Sequence, residues 1–217
     1  PDANDAFLDQ YPAGTWEFAA MSVYHDAQNQ LGLNLLTYAI ELQSKADLQL
    51  LPLLLDRLHV SAKLLFNCHS SVSKTKTLSS SEHDLHKNMA MAWMRLQGLV
   101  GVALQFKDSI LKLVDSQPEF GENLLDPTVV NTLLTKQSYM AVLRHAKMVM
   151  RGFVEANPHD KDVTAFQAGI KQIEEAEANQ SNGAQRPGTG RDTPPSSDES
   201  AQAASTKKKR KRSSLAA

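Results

Sequence analysis

Two residues before a serine-rich segment and two after it have side chains of the types that bind zinc. They are Cys68 and His69 before the segment and His83 and His86 after it. His83 and His86 are three residues apart, which places them on one face of a helix. A tetrahedral zinc site, however, usually takes spaced pairs of Cys or His from both sides of a loop, and Cys68-His69 does not match such a pair. We therefore predict no metal site and no cofactor, and we interpret the histidines as polar residues near a helix start.

Acidic and basic side chains that could transfer protons are found next to each other in the sequence, as in His25-Asp26, His83-Asp84 and Glu174-Glu175. Adjacent residues on a helix do not face one another, so these pairs do not converge on a substrate. The sequence also has no glycine-rich phosphate loop and no nucleophile elbow. We predict no catalytic residues and no enzymatic activity. An accessory subunit of an enzyme whose active site lies outside this chain is a further alternative.

The most specific pattern in the chain is a run of six basic residues near its C-terminus. In a disordered tail such a run fits the acidic grooves of a nuclear import receptor, and we predict a nuclear localisation signal. A nucleic acid backbone is an alternative partner. A membrane is not predicted, because neither a lipid anchor nor an amphipathic helix lies beside the run. The six residues are Lys207, Lys208, Lys209, Arg210, Lys211 and Arg212.

Three hydroxyl side chains upstream of the basic run are candidate phosphorylation sites. Thr193 precedes a proline, while Ser196 and Ser197 precede two acidic residues, a context that acidophilic kinases prefer. Each phosphate adds about −1.5 to −2 charges at neutral pH. Three phosphates would therefore offset the net positive charge of the tail, and phosphorylation is predicted to regulate the nuclear address.

Charge is divided unevenly along the 217 residues. Eight of the 23 Lys and Arg residues but three of the 24 Asp and Glu residues lie in 180–217, which gives that segment a net charge of +5 and the rest of the chain −6. A negative body is a poor general platform for nucleic acid. The alternative function of nucleic-acid binding would use the basic tail together with one helix face, formed by Lys136, Arg144, Lys147 and Arg151.

The other composition figures indicate a soluble intracellular protein. Cys68 is the only cysteine, so no intrachain disulfide is possible. No apolar run approaches the roughly 20 residues that a membrane span requires. The length suits one domain followed by a tail.

The chain is organised around the segment 82–116, whose apolar residues alternate at spacings of four and three. No proline interrupts this segment, and we predict one long central helix of roughly 50 Å. Its middle part is apolar on most sides, which predicts that other helices surround it. Gly98 and Gly101 are expected to face a neighbouring helix closely. The seam consists of Leu85, Met89, Ala92, Leu96, Leu99, Ala103, Phe106, Ile110 and Leu113.

Helix signals recur on both sides of this segment. The first helix is predicted to begin after Thr15, with a kink or break at Gly32. A second is predicted from about Pro52 to His69, with Asp56 on its polar side, and further helices follow Asp126 and Pro158. The predicted apolar pattern of the first helix is Phe18, Met21, Tyr24, Leu31, Leu35, Tyr38, Ala39 and Leu42.

These patterns predict an all-α fold, with a single helical-hairpin or bundle domain of five to seven helices around a long central helix. We expect a loose N-terminal arm over residues 1–14, the all-α interaction domain over 15–178, and a disordered basic tail over 179–217. No strand pattern and no repeat of fixed length stands out in the sequence.

One family resemblance lies between Leu54 and Leu113. The residues that carry it are Leu58, Lys63, Leu64 and Leu65, a serine-rich loop, the run Ala92-Trp93-Met94-Arg95-Leu96-Gln97, and Phe106-Lys107. This segment resembles the C-terminal homology domain of the AF4/FMR2 family, whose members are nuclear scaffolds of transcription elongation complexes. The resemblance implies a helical, self-associating domain. We therefore expect a non-enzymatic nuclear scaffold, part of a chromatin or transcription-related assembly, with protein partners, a nuclear import receptor and self-association.

Overall fold

The computed structural model describes residues 14–45, 47–72, 82–116, 122–126 and 128–183. This part of the chain forms seven α-helices and no strand, which confirms the predicted all-α fold. A 3-10 turn, Leu48–Leu50, lies between the first two helices. The helices are α1 (Trp16–Ser44), α2 (Leu51–Val72), α3 (Glu82–Gln105), α4 (Lys107–Ser116), α5 (Val129–Leu133), α6 (Lys136–Ala156) and α7 (Val163–Gly183).

Helix α1 begins as predicted, at the cap residue Thr15, whose hydroxyl oxygen accepts a hydrogen bond from the Phe18 amide at 3.3 Å. Of the predicted kink or break at Gly32, the break is wrong, because α1 continues as one helix to Ser44. Gly32 is instead buried where α1 meets α2. A Cβ atom at Gly32 would lie 3.0 Å from the Leu65 side chain, so the glycine allows a close approach of the two helices.

Helix α2 follows the 3-10 turn, whose Gln49 amide donates to the Asp47 carboxylate at 2.8 Å. Pro52 is the second residue of α2, where the missing N–H of proline leaves no helical hydrogen bond broken. The helix ends at Val72, slightly beyond the predicted end near His69.

The predicted central helix is interrupted at Phe106, so the segment 82–116 forms two helices, α3 and α4, rather than one rod. The Phe106 amide donates to the Ala103 carbonyl at 3.1 Å, which is the tighter spacing of a 3-10 turn. Ile110 of α4 is buried in the core, whereas Phe106 is 42% exposed.

The five long helices form a row in the order α1, α2, α3, α6, α7, and each packs mainly against the next. Neighbours run antiparallel. Along α1 and α2, for example, His25 lies beside Cys68 and Gly32 beside Leu65. The short helix α5 and the 3-10 turn pack against α2. In this row α1 and α7 occupy the two ends.

The core runs through the middle of the row. Leu96 is completely buried, which confirms its prediction as a core residue. Helix α7 continues to Gly183, past the predicted end of the domain at residue 178. The largest completely buried or nearly buried side chains are Leu55, Leu58, Leu65, Leu96, Val100, Val129, Leu134, Leu143, Met150, Phe153, Phe166 and Ile173.

The two glycines of α3 have different surroundings. The prediction that Gly98 faces a helix closely is wrong, because Gly98 is exposed and a Cβ there would meet no atom within 4 Å. A Cβ at Gly101, in contrast, would lie 3.0 Å from the Tyr139 hydroxyl oxygen on α6. Only Gly101 therefore allows the close approach of a neighbouring helix.

This difference predicts opposite outcomes for two matched substitutions. Gly98→Ala should raise the free energy of unfolding by about 0.5 to 1 kcal/mol, because alanine is the better helix former and meets open space. Gly101→Ala should bring no such gain, since the Tyr139 ring must move. Urea denaturation of the two variants tests this. Equal gains in both would contradict a packing role for Gly101.

Candidate functional site

The four residues considered as zinc ligands do not come together. The rings of His69 and His86 are in contact, with centroids 4.3 Å apart, whereas Cys68 faces α1. His83 places its Nε2 atom 3.0 Å from a carboxylate oxygen of Asp160. Within the described ranges, no group of three or more His, Cys, Asp or Glu side chains is arranged to hold a metal ion.

The contact between His69 and His86 belongs to the packing of three helices. His86 lies edge-on to Phe153 of α6, with ring centroids 5.4 Å apart. Burial, and next the neighbouring His69, lower the pKa of His86 to about 4, while a backbone hydrogen bond to Val149 opposes the shift. His86 is therefore neutral at physiological pH and acts as a packing residue.

Ion pairs of Lys87 with Asp160 and Asp162 join the start of α3 to the turn between α6 and α7. The Lys87 ammonium lies 3.3 Å from Asp160 and 2.5 Å from Asp162. The hydrogen bond from Lys87 to Asp162 raises the pKa of Lys87, and the Asp162 backbone amide lowers the pKa of Asp160 by donating to its carboxylate. These opposite charges hold the α6–α7 turn in place.

Asp56 departs from the prediction that it lies on the polar side of α2, because it is completely buried. Its two carboxylate oxygens accept hydrogen bonds from the amides of Leu125 and Asp126, at 3.0 and 2.9 Å, and it forms an ion pair with Arg57. Arg57 also donates to the Asn123 carbonyl at 2.6 Å. A buried carboxylate needs such partners. The cluster therefore anchors the segment before α5 to α2.

The basic face proposed for nucleic acid is partly neutralised. Lys147 forms an ion pair with Glu177, and Arg151 forms one with Glu174, so two of the four cations of this face have carboxylates of α7 beside them. Lys136 and Arg144 are exposed.

The predicted functional residues of the tail lie outside the described residues. These are the basic run from Lys207 to Arg212 and the hydroxyl residues Thr193, Ser196 and Ser197. Among the residues that the structure does describe, the candidate surface is a different one, on α1.

Helix α1 presents large apolar side chains to solvent. Of the eleven large hydrophobic residues that are exposed in the described part of the chain, six belong to α1. Four of them are at least half exposed, with values of 76% for Trp16, 69% for Val23, 52% for Tyr24 and 50% for Leu31, and Tyr38 and Ile40 complete the set. Three of them, Tyr24, Leu31 and Tyr38, recur every seven residues and therefore lie on one side of the helix. An exposed apolar stripe of this kind is typical of an interaction site.

Two contacts with α2 fix the rotation of α1 and so determine which side chains face outward. The His25 Nε2 atom donates to the Cys68 carbonyl at 3.0 Å, and the Ser61 hydroxyl donates to the Gly32 carbonyl at 2.7 Å. Both pairs are buried. The inner face consists of His25, Gly32, Leu36, Ala39 and Leu42.

The outer face of α1, defined by Ala20, Tyr24, Ala27, Leu31, Asn34 and Tyr38, is exposed along its whole length. The predicted pattern of α1 joined residues of both faces, since it took Tyr24, Leu31 and Tyr38 together with Ala39 and Leu42. The structure corrects this assignment. The sequence does contain a sign of this second apolar face, because α1 has apolar residues on nearly all sides. A helix of that kind is expected to be covered on more than one side.

The opposite end of the row shows that this exposure is not a general property of terminal helices. Helix α7 exposes polar residues and no large hydrophobic side chain among those described. Terminal helices of stacked architectures need such a polar outer face for solubility. The exposed polar residues of α7 include Gln167, Lys171, Gln172, Glu174, Glu175 and Asn179.

Comparison with known proteins identifies no relative: no family model, curated protein sequence or solved structure matches the chain. None of the helices in the described ranges is both long enough and apolar enough to cross a membrane.

Two partly buried histidines, His59 and His86, predict a loss of stability in mild acid. Burial holds the pKa of His86, and that of His59 on α2, at about 4, below the ordinary unfolded value of about 6.5. Between these values the unfolded chain binds more protons, so the free energy of unfolding falls as pH falls from about 6.5 towards 4. Because both residues are only partly buried, each slope should lie well below about 1.4 kcal/mol per pH unit.

Thermal melts of the full chain between pH 7 and pH 5 test this expectation. The melting temperature should fall with pH, and the fall should be smaller in His86→Gln. The matched control is His159→Gln, at an exposed position in the α6–α7 turn. The same pH dependence in both variants and the unsubstituted chain would contradict a role for His86.

Proposed function

We propose that this chain is a non-enzymatic protein–protein interaction scaffold of a nuclear assembly, related to chromatin or transcription, and that it contacts a partner through the outer face of α1. The observation that carries the interaction role is the exposed apolar surface at one end of the helical row. Self-association and binding to a nuclear import receptor belong to the same proposal.

The chemistry of α1 supports an interaction surface rather than a catalytic one. Tyr and Trp, both present on the exposed side, are enriched at protein interfaces because they bury large areas at low entropic cost. The clustered polar groups of the described residues, around Asp56 and Asp160, are occupied by structural hydrogen bonds and ion pairs.

The basic run Lys207 to Arg212 supports the nuclear part of the proposal, since consecutive cations suit the acidic grooves of an import receptor. The alternative of nucleic-acid binding is supported less well. Lys147 and Arg151 are paired with carboxylates of α7, and the body has a negative net charge.

Partner capture with two matched variants tests the interaction role. Leu31→Glu places a charge in the middle of the outer face of α1, and it should abolish retention of protein partners because a carboxylate resists desolvation. Met148→Glu, at an exposed position of α6, should leave retention unchanged. Circular dichroism melts must show that both variants are folded. Equal partner sets for the two variants would contradict the proposed surface.

Fusion of residues 180–217 to a cytoplasmic reporter tests the nuclear address. The fusion should accumulate in the nucleus. Alanine at positions 208–211 should abolish this accumulation, because the import receptor binds the consecutive positive charges. Aspartate at Thr193, Ser196 and Ser197 should weaken import if phosphorylation regulates it. A reporter that stays cytoplasmic would contradict the address, and unchanged import of the aspartate variant would contradict only the regulation.

A further inference from the structure

We propose that the outer face of α1 binds the same face of a second copy of this chain, with the two α1 helices antiparallel. This inference rests on the proposed function, because it names the partner of the surface described above. The pairing follows from the spacing and the sizes of the six side chains that form the face.

The six residues of the outer face are spaced by four, three, four, three and four positions along α1. This is the a and d spacing of a heptad seam, which brings side chains of one helix into the gaps of another. Every one of these residues is exposed. The seam extends over 18 residue steps, or roughly 27 Å of helix.

Large and small residues alternate along the seam. The larger side chains are Tyr24, Leu31 and Tyr38, and the smaller ones are Ala20, Ala27 and Asn34. An antiparallel pair sets a positions of one helix opposite d positions of the other. With the twofold axis at residue 29, Ala20 meets the partner's Tyr38, Tyr24 meets the partner's Asn34, and Ala27 meets the partner's Leu31. Every layer then joins a larger side chain to a smaller one.

A parallel pair in register would fill the interface much less evenly. It would place Tyr24 against the partner's Tyr24 and Ala27 against the partner's Ala27, so that crowded layers would alternate with empty ones. Interfaces and cores are stabilised when facing side chains interdigitate at uniform density. The size pattern therefore selects the antiparallel direction and the register about residue 29.

The charges of α1 lie outside the six seam residues but do not favour the pairing. None of the six is ionisable, and Val23, Gln30 and Thr37, which border the seam, are also uncharged. The charged residues of α1 are Glu17, Asp26 and Glu41, with no Lys or Arg. The register about residue 29 sets Glu17 opposite the partner's Glu41 at each end of the seam, so self-association should strengthen as salt screens this repulsion.

The position of α1 in the fold makes the pairing sterically accessible. Because α1 is the terminal helix of the row, its outer face lies on the side away from α2. A twofold axis through this face would join two rows of helices end to end, in an isologous contact that closes without forming a filament.

Sedimentation equilibrium of the full chain over a range of concentrations tests the proposal. We expect a mass approaching twice 23.9 kDa at high concentration. Leu31→Glu should remain at 23.9 kDa over the same range, whereas Met148→Glu should dimerise like the unsubstituted chain. Thermal melts must show that all three proteins are folded.

Cysteine cross-linking tests the direction and register. A mixture of Ala27→Cys and Leu31→Cys chains, oxidised with glutathione disulfide, should form a mixed disulfide dimer. A mixture of Ala20→Cys and Leu31→Cys, whose positions fall in different layers, should not. The unsubstituted chain controls for Cys68, which is buried. A disulfide formed by Ala27→Cys alone, at the expense of the mixed dimer, would overturn the antiparallel register.

A full chain that is monomeric at all concentrations would overturn the second copy as the occupant. If Leu31→Glu then also lowers the melting temperature, Leu31 stabilises the fold of the single chain rather than an interface. If the melting temperature is unchanged and partner capture is lost in Leu31→Glu, the proposed function stands with a different partner. If capture is also unchanged, both proposals fail.

Discussion

The close contact between α1 and α2 is the constraint on which the functional reading of this fold depends. Gly32 brings the α1 backbone against Leu65, and the hydrogen bond from Ser61 to the Gly32 carbonyl holds it there. The second bond, from His25 to Cys68, fixes the rotation of α1 one and a half to two turns away. Since a helix cannot bury all sides against one neighbour, this contact also exposes the outer face.

The buried polar groups act elsewhere, at the connections between helices. Asp56 binds the amides that precede α5, and Asp160 joins the α6–α7 turn to the start of α3. Between these connections the core of the row is apolar, as in α3 and α6 around Leu96 and Leu143. Two buried hydrogen bonds also join α1 to α2, and two ion pairs join α6 to α7. Polar contacts therefore hold the connections and supplement the helix contacts, while the hydrophobic effect stabilises the stack.

The sequence predicts the helices well because each has an apolar stripe at helical spacing, as Leu54, Leu58 and Leu65 show on α2. It does not predict the interruption at Phe106, since no Gly or Pro marks it. It also predicts Asp56 on the polar side of α2, whereas Asp56 is buried. The amides of Leu125 and Asp126 that bind its carboxylate are distant in sequence and cannot be anticipated from a local pattern. The outer face of α1 could be suspected from its excess of apolar residues, but choosing the exposed side required the contact at Gly32.

The burial of Cys68 beneath α1 gives the protein a built-in reporter of local opening. Burial and the nearby charge of Asp26 raise the pKa of this thiol to about 12, so it is protonated and inert in the closed state. A thiol reagent can reach it only when the contact between α1 and α2 opens, either locally or by unfolding of the whole domain. Because Cys68 is the only cysteine of the chain, comparison of its labelling rate with the rate of global unfolding shows whether the end of the helical row opens by itself.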